Sequence, residues 1–131
     1  MDLIIYAALA VFFLQCFLPP LFRFYLRPDP QVMAALGSRD RLEPSLYGER
    51  ADRALRNMTE AMVLFLPMAL LCEMKPSMDF SLAELGGQLF VAGRALYIPC
   101  YIFGINVVRT LFWSIGHAGV GLLLYALLTA G

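Results

Sequence analysis

Long apolar segments separated by polar connections dominate this sequence of 131 residues. A helix needs about 20 consecutive, mostly apolar residues to cross the hydrocarbon core of a bilayer. We predict transmembrane helices at residues 3–26, 44–74, 80–105 and 109–130. Charged residues form only 15% of the chain, against about 25% in a soluble domain. The sequence therefore predicts an all-α membrane protein with a single four-helix domain over residues 1–131.

The second predicted helix is longer than a bilayer requires. Its apolar part, Ala61–Cys72, is too short to cross alone, but no proline or glycine interrupts the chain between Gly48 and Pro67. At about 1.5 Å per residue, residues 44–73 would extend about 45 Å. The polar first half should therefore project beyond the bilayer or line a wet cavity. Because the two later connections are short, we expect antiparallel neighbouring helices in an up-down transmembrane bundle.

Positive charge is concentrated around the first connection. The arginines there are Arg23, Arg27, Arg39, Arg41, Arg50, Arg53 and Arg56. The second connection has Lys75, and the third has Arg109. Because Lys and Arg are enriched in cytoplasmic loops, the first and third connections are predicted to face the cytoplasm. The net charge of zero argues against nucleic acid as a partner.

Polar residues with helical spacing mark two of the predicted membrane helices. The asparagine stripe is Arg53, Asn57 and Glu60. The tyrosine stripe is Arg94, Tyr97 and Tyr101. An arginine in the middle of a membrane helix costs about 2.5–3.5 kcal/mol, so both stripes need polar partners. Two arginine-containing stripes would suit a small anionic ligand with several hydrogen-bonding groups; the alternative is a polar seam that only ties helices together.

The cysteines and the histidine do not predict a further site. The cysteines are widely spaced in apolar segments, which gives neither a disulfide framework nor metal-ligand spacing, and no metal is expected. We interpret His117 as a residue for helix packing or an interhelical hydrogen bond and not for catalysis, because no carboxylate is near it in sequence. Gly119 and Gly121 would permit a close helix approach.

Two segments resemble a known membrane family. Residues 49–60, ERADRALRNMTE, resemble the second-helix signature of the MAPEG family, the membrane-associated proteins in eicosanoid and glutathione metabolism. Residues 94–101, RALYIPCY, followed by Arg109, resemble its third-helix signature and the next loop. With four helices in matching order, the resemblance covers nearly the whole chain. The chain looks most similar to the small bacterial members.

The resemblance implies a homotrimer that binds glutathione between adjacent subunits near the cytoplasmic side. It implies that the asparagine stripe contacts glutathione from one subunit and the tyrosine stripe from the next, with Arg109 assisting the thiol as the catalytic residue. A first-helix arginine contributes in some members, and Arg23 and Arg27 both remain candidates. Some members have a tyrosine directly after the glutamate, where this chain has Ala61, a departure that affects one glutathione contact.

The implied function is a glutathione-dependent transferase or peroxidase, with glutathione as co-substrate and a hydrophobic electrophile drawn from the membrane lipid. Adjacent cationic groups favour the thiolate, and binding both reactants together adds proximity. The alternative is a non-catalytic lipid-binding or scaffold protein on the same trimer, because a fold does not fix a function. A transporter or channel subunit is disfavoured by the lack of an inverted repeat. The implied location is the bacterial inner membrane, with the site facing the cytoplasm.

Overall fold

The computed structural model describes residues 1–22, 46–75 and 80–130. Within these ranges the chain is helical and has no strand. The helices are α1 (Asp2–Cys16), α2 (Leu18–Pro20), α3 (Leu46–Met74), α4 (Phe80–Ile102) and α5 (Asn106–Thr129). The predicted all-α fold is thereby confirmed. Arg23 and Arg27, the competing first-helix arginines, lie outside the described residues.

The first predicted helix is interrupted in the structure. α1 ends at Cys16, and the short helix α2 begins at Leu18. Pro19 and Pro20 occupy the first turn of α2. A proline is tolerated there because its missing N–H would have no partner in the first turn of a helix. Two later prolines, Pro67 and Pro99, lie inside α3 and α4, which continue through them.

Among the described residues, three segments are long and apolar enough to cross a membrane. They are Asp2–Pro20, Leu46–Met74 and Asn106–Thr129. α4 has 23 residues, which is about 34 Å of helix, but it does not reach the same apolarity because it includes Glu84, Gln88, Arg94 and several glycines. α4 makes its most extensive contact with α5. The three apolar segments therefore indicate a membrane-spanning protein.

The interior of the bundle is apolar with few exceptions. Phe65 of α3 and Phe90 of α4 are fully buried and stack with ring centroids 4.0 Å apart. α1 turns Ile5, Ala8 and Gln15 inward, at the spacing of one helical face. Gln15 is 1% exposed, and neither polar atom of its amide has a hydrogen-bond partner in the described chain. The inward face of α1 thus places an unpaired polar group in the core.

Ionic and polar contacts join the helices at one end of the bundle. The amino group of Met1 lies 3.4 Å from carboxylate oxygens of both Glu73 and Glu84. Burial lowers the pKa of this amino group, but hydrogen bonds to Glu84 and Glu73 and their charges outweigh burial, so its pKa is raised. Lys75 Nζ donates a hydrogen bond to the Leu127 carbonyl near the end of α5 at 3.2 Å. These contacts fix the ends of the four long helices relative to one another.

α4 and α5 approach each other through glycine. A Cβ atom on Gly119 would collide with the carbonyl oxygen of Gly86 and would lie 2.8 Å from the backbone nitrogen of Phe90. Both are backbone atoms, so no side-chain rotation could relieve the collision. Gly121 has no atom within 4 Å of the equivalent position. The expected close approach is therefore confirmed at Gly119, whereas at Gly121 no helix of the described chain comes close and the expectation stays a prediction.

Replacing Gly119 by alanine is expected to destabilise the protein by about 1–3 kcal/mol, because α4 and α5 must move apart to admit the methyl group. Gly121→Ala is the matched control, and it should leave stability unchanged or raise it by up to about 1 kcal/mol through higher helix propensity. Thermal unfolding in detergent measures both. Equal melting temperatures for the two variants would contradict the close contact at Gly119.

Candidate functional site

Arg94 points into the bundle. It is 1% exposed, and its Nη1 donates a hydrogen bond to Asn57 Oδ1 at 2.6 Å, which links α4 to α3. Among the described residues, its Nε has no hydrogen-bond partner and no carboxylate forms an ion pair with it. A buried charge without a counter-ion is costly. Arg94 is therefore a strong candidate for a functional rather than a stabilising residue.

Arg94 also fixes the orientation of the Asn57 amide. A guanidinium has donors and no acceptor, so the Asn57 atom at 2.6 Å must be the carbonyl oxygen. The amide NH₂ group is then directed away from Arg94, and it has no hydrogen bond to a described residue. Asn57 is half-buried and shares one face of α3 with Arg53 and Glu60, which are exposed. A cation, an amide donor and a carboxylate thus lie along one accessible face.

Arg53 and Glu60 are available to a ligand. Arg53 Nη2 lies 3.7 Å from Glu49 Oε2, with both side chains about half exposed, and exposed pairs of this kind contribute little. Glu60 makes no hydrogen bond or ion pair with the described part of the chain. A shallow surface pocket of about 330 Å³ lies beside Arg53. Its lining residues are Glu49, Asp52, Arg53 and Arg56.

The tyrosine stripe continues from Arg94 toward the α4–α5 turn. Tyr97 is 4% exposed, and the centre of its ring lies 5.7 Å from Arg94 Cζ and 5.4 Å from the Tyr101 ring. Arg109 Cζ lies 4.7 Å from the centre of the Tyr101 ring, within cation–π range. The hydroxyl groups of both tyrosines have no hydrogen bond to a described residue. The structure thus brings Arg94, Tyr97, Tyr101 and Arg109 into one continuous row.

The two stripes meet inside one chain at the hydrogen bond between Asn57 and Arg94. Arg53 and Glu60 lie on the outer face of α3, whereas Arg94 and Tyr97 are buried. The resemblance implies ligand contacts from different subunits, and that assignment stays a prediction. Among the described residues, no group of three or more His, Cys, Asp or Glu side chains could hold a metal ion.

His117 lies next to Arg94, which its position in the sequence did not indicate. Its Nδ1 is 2.9 Å from the Trp113 carbonyl oxygen and 3.4 Å from Arg94 Nη2. The short contact with a carbonyl requires a proton on Nδ1, so the contact with Arg94 joins two N–H groups and is not a hydrogen bond. The His117 and Trp113 ring centroids are 3.9 Å apart. His117 therefore packs against Trp113 and the guanidinium.

These features define an all-helical integral membrane protein with an arginine-centred polar cluster where α3, α4 and α5 meet. The model of the MAPEG family matches residues 3–129, nearly the whole chain. The chain therefore belongs to the MAPEG family, and the resemblance inferred from the two signatures is confirmed. No curated protein and no solved structure matches the chain. The family includes glutathione-related transferases and peroxidases as well as other members.

Proposed function

We propose that this protein is a glutathione-dependent transferase or peroxidase that acts on hydrophobic electrophiles in the membrane. The observation that supports this most is the hydrogen bond between Arg94 and Asn57. It occupies the amide oxygen of Asn57 and leaves the amide donors free, on the helix that also carries Arg53 and Glu60. Glutathione offers carboxylates, an ammonium group and amides. A guanidinium pairs with a carboxylate, an amide NH₂ donates to a carboxylate or carbonyl, and the Glu60 carboxylate matches the ammonium group.

In this proposal the row from Arg94 to Arg109 completes the site. The hydroxyls of Tyr97 and Tyr101 donate hydrogen bonds to glutathione, and Arg109 lies beside its thiol. A free thiol has a pKa of about 8.5, and an adjacent cation lowers this pKa. Arg109 therefore increases the fraction of glutathione present as thiolate. The thiolate attacks an electrophilic carbon and forms an S–C bond. The leaving group departs with the electron pair of the bond that breaks.

The same proposal includes the assembly and the orientation. All four long helices cross the bacterial inner membrane, with the site on the cytoplasmic side, in a homotrimer. Many large apolar side chains that are exposed on the single chain support this assembly and membrane location. Among them, Leu3 is 80% exposed, Val107 83% and Leu128 74%. Lipid or a neighbouring subunit must cover such side chains. Arg53 and Glu60 lie on the surface, where a neighbouring subunit can complete the site.

Native mass spectrometry in mild detergent is expected to give a mass three times that of the 14.6 kDa chain. The physical reason is that the asparagine stripe is open on one side and its polar groups gain partners at a subunit contact. Crosslinking in membranes before extraction controls for dissociation by detergent. A monomer in both measurements would contradict the assembly.

Calorimetry and a turnover assay test the function. Purified protein in detergent should bind glutathione and conjugate a generic aromatic halide. S-methylglutathione is the control, because it offers the same carboxylates and amides and no free thiol, so it should bind and inhibit without reacting. Failure of glutathione to bind would refute the proposed function.

A non-catalytic lipid-binding or scaffold protein is the second candidate. The observation that favours it is the burial of Arg94 and Tyr97 inside one chain, where they also hold α3 and α4 together. This candidate predicts a stable protein with no turnover of aromatic halides or lipid peroxides. The turnover assay therefore separates the two candidates.

A further inference from the structure

The last turn of α4 ends in a specific pattern of hydrogen bonds. Gly104 N–H donates to the Tyr101 carbonyl at 3.2 Å, and Ile105 N–H donates to the Cys100 carbonyl at 2.9 Å. Gly104 has a φ of 77°, a left-handed conformation that glycine adopts without a Cβ penalty. Together these features form a Schellman motif. The motif satisfies the Tyr101 and Cys100 carbonyls and turns the chain toward α5.

One carbonyl of the last turn is satisfied from another helix. The carbonyl oxygen of Ile102 accepts a hydrogen bond from Arg50 Nη1 of α3 at 3.2 Å. The guanidinium also fills the space beside Gly104, where a Cβ would lie 2.7 Å from Arg50 Nη1. A cation at the carboxyl end of a helix is favoured by the helix dipole. Arg50 therefore holds the α4–α5 turn through a directional bond, a charge and close packing.

The turn held by Arg50 separates two members of the candidate site. Tyr101 precedes it in the last turn of α4, and Arg109 follows it in the first turn of α5, where its N–H donates to the Ile105 carbonyl at 3.0 Å. The Arg109 guanidinium is placed over the Tyr101 ring by the path of the chain through Gly104. A shift of this turn would move Arg109 relative to Tyr101.

We infer that Arg50 is a positioning residue that fixes the α4–α5 turn and so holds Arg109 over Tyr101, next to the thiol of the bound substrate. The contribution to catalysis rests on the proposed function; the hold on the turn does not. Arg50 acts through the backbone of the turn, whereas Arg53, on the same helix, faces the ligand. Residue spacing along the helix did not place Arg50 in either polar stripe.

Hydrogen exchange measured by mass spectrometry tests the hold on the turn directly. In Arg50→Met, exchange at residues 103–109 should accelerate about 10-fold or more, since a charge-assisted hydrogen bond to the turn is lost. Arg50→Lys, which keeps a cationic donor, should restore much of the protection. Gly104→Ala should have the same effect as Arg50→Met by displacing the guanidinium from the other side, and it provides a second variant if Arg50→Met folds poorly.

Lys75→Met is the matched control. Lys75 makes the same kind of bond, from a side-chain cation to a carbonyl near a helix end, at the end of α5. Its loss should accelerate exchange near residue 129 and leave residues 103–109 unchanged. Unlike Lys75→Met, Arg50→Met and Gly104→Ala should raise the pKa of the thiol of bound glutathione, which is measured by thiolate absorbance against pH. They should also lower kcat between about 10-fold and 100-fold through misplacement of Arg109, with a much smaller change in the Kd of glutathione.

Unchanged exchange at residues 103–109 in Arg50→Met would overturn the inference. Faster exchange together with an unchanged thiol titration would also overturn it, because Arg109 would then be held by something else. Failure of the wild-type protein to bind glutathione would refute the proposed function, and the exchange comparison alone would then decide whether Arg50 holds the turn.

Discussion

Arg94→Leu is expected to weaken glutathione binding by about 1.5–3 kcal/mol, which is about 10-fold to 150-fold in Kd, with little loss of thermal stability. The guanidinium is buried without an ion pair in the described chain, and an apolar residue in place of a buried charge is often neutral or stabilising. Binding should fall because Asn57 loses the bond that orients its amide. Calorimetry and thermal unfolding on the same preparation separate the two effects.

A double-mutant cycle with Asn57→Ala sharpens this test. If Arg94 acts on the ligand through Asn57, the double variant should bind glutathione nearly as well as the single variant with the lower affinity. The reason is that the effects of substitutions at contacting residues are not additive. Arg94→Lys keeps the charge but not the planar fork, and it should recover only part of the affinity. Normal binding by Arg94→Leu would mean that the site lies elsewhere and that the polar stripes only tie helices together.

Arg109→Ala is expected to leave most of the binding intact while raising the pKa of the bound thiol and lowering turnover at least about 10-fold. Arg109 lies over Tyr101 at the start of α5, where its charge acts on the thiolate and makes no hydrogen bond to a residue of the asparagine stripe in the described chain. The loss of turnover relative to the wild-type protein should be greatest at low pH, since thiolate is scarcest there. The difference should become smaller as pH rises past the thiol pKa.

The ultraviolet absorbance of the thiolate, followed against pH, reads the titration directly. Arg109→Lys is the control that keeps a cation at this position, and its titration should stay nearer that of the wild-type protein. If Arg109→Ala changes neither the titration nor the rate, Arg109 has no catalytic role.

Local pattern in the sequence was sufficient to predict the helices α3, α4 and α5 and to place the residues of each stripe on one helical face. The length of the apolar segments predicts membrane helices because an unpaired peptide group cannot remain in hydrocarbon. Helical periodicity places Arg94, Tyr97 and Tyr101 on one face because their spacing is local. The break of the first helix near Phe17 was also encoded, in Pro19 and Pro20, although we predicted a continuous helix there.

The tertiary structure alone decided which residues meet across helices. Arg94 bonds Asn57, 37 residues away, and Arg50 bonds the Ile102 carbonyl, 52 residues away. Within the described chain, Gly119 lies against another helix and Gly121 does not, although both are glycines in one segment. Residue spacing along a helix sets which side chains share a face, but the rotation and height of each helix in the bundle depend on the packing of all of them together. Contacts between helices therefore follow from the packed bundle and not from any one segment.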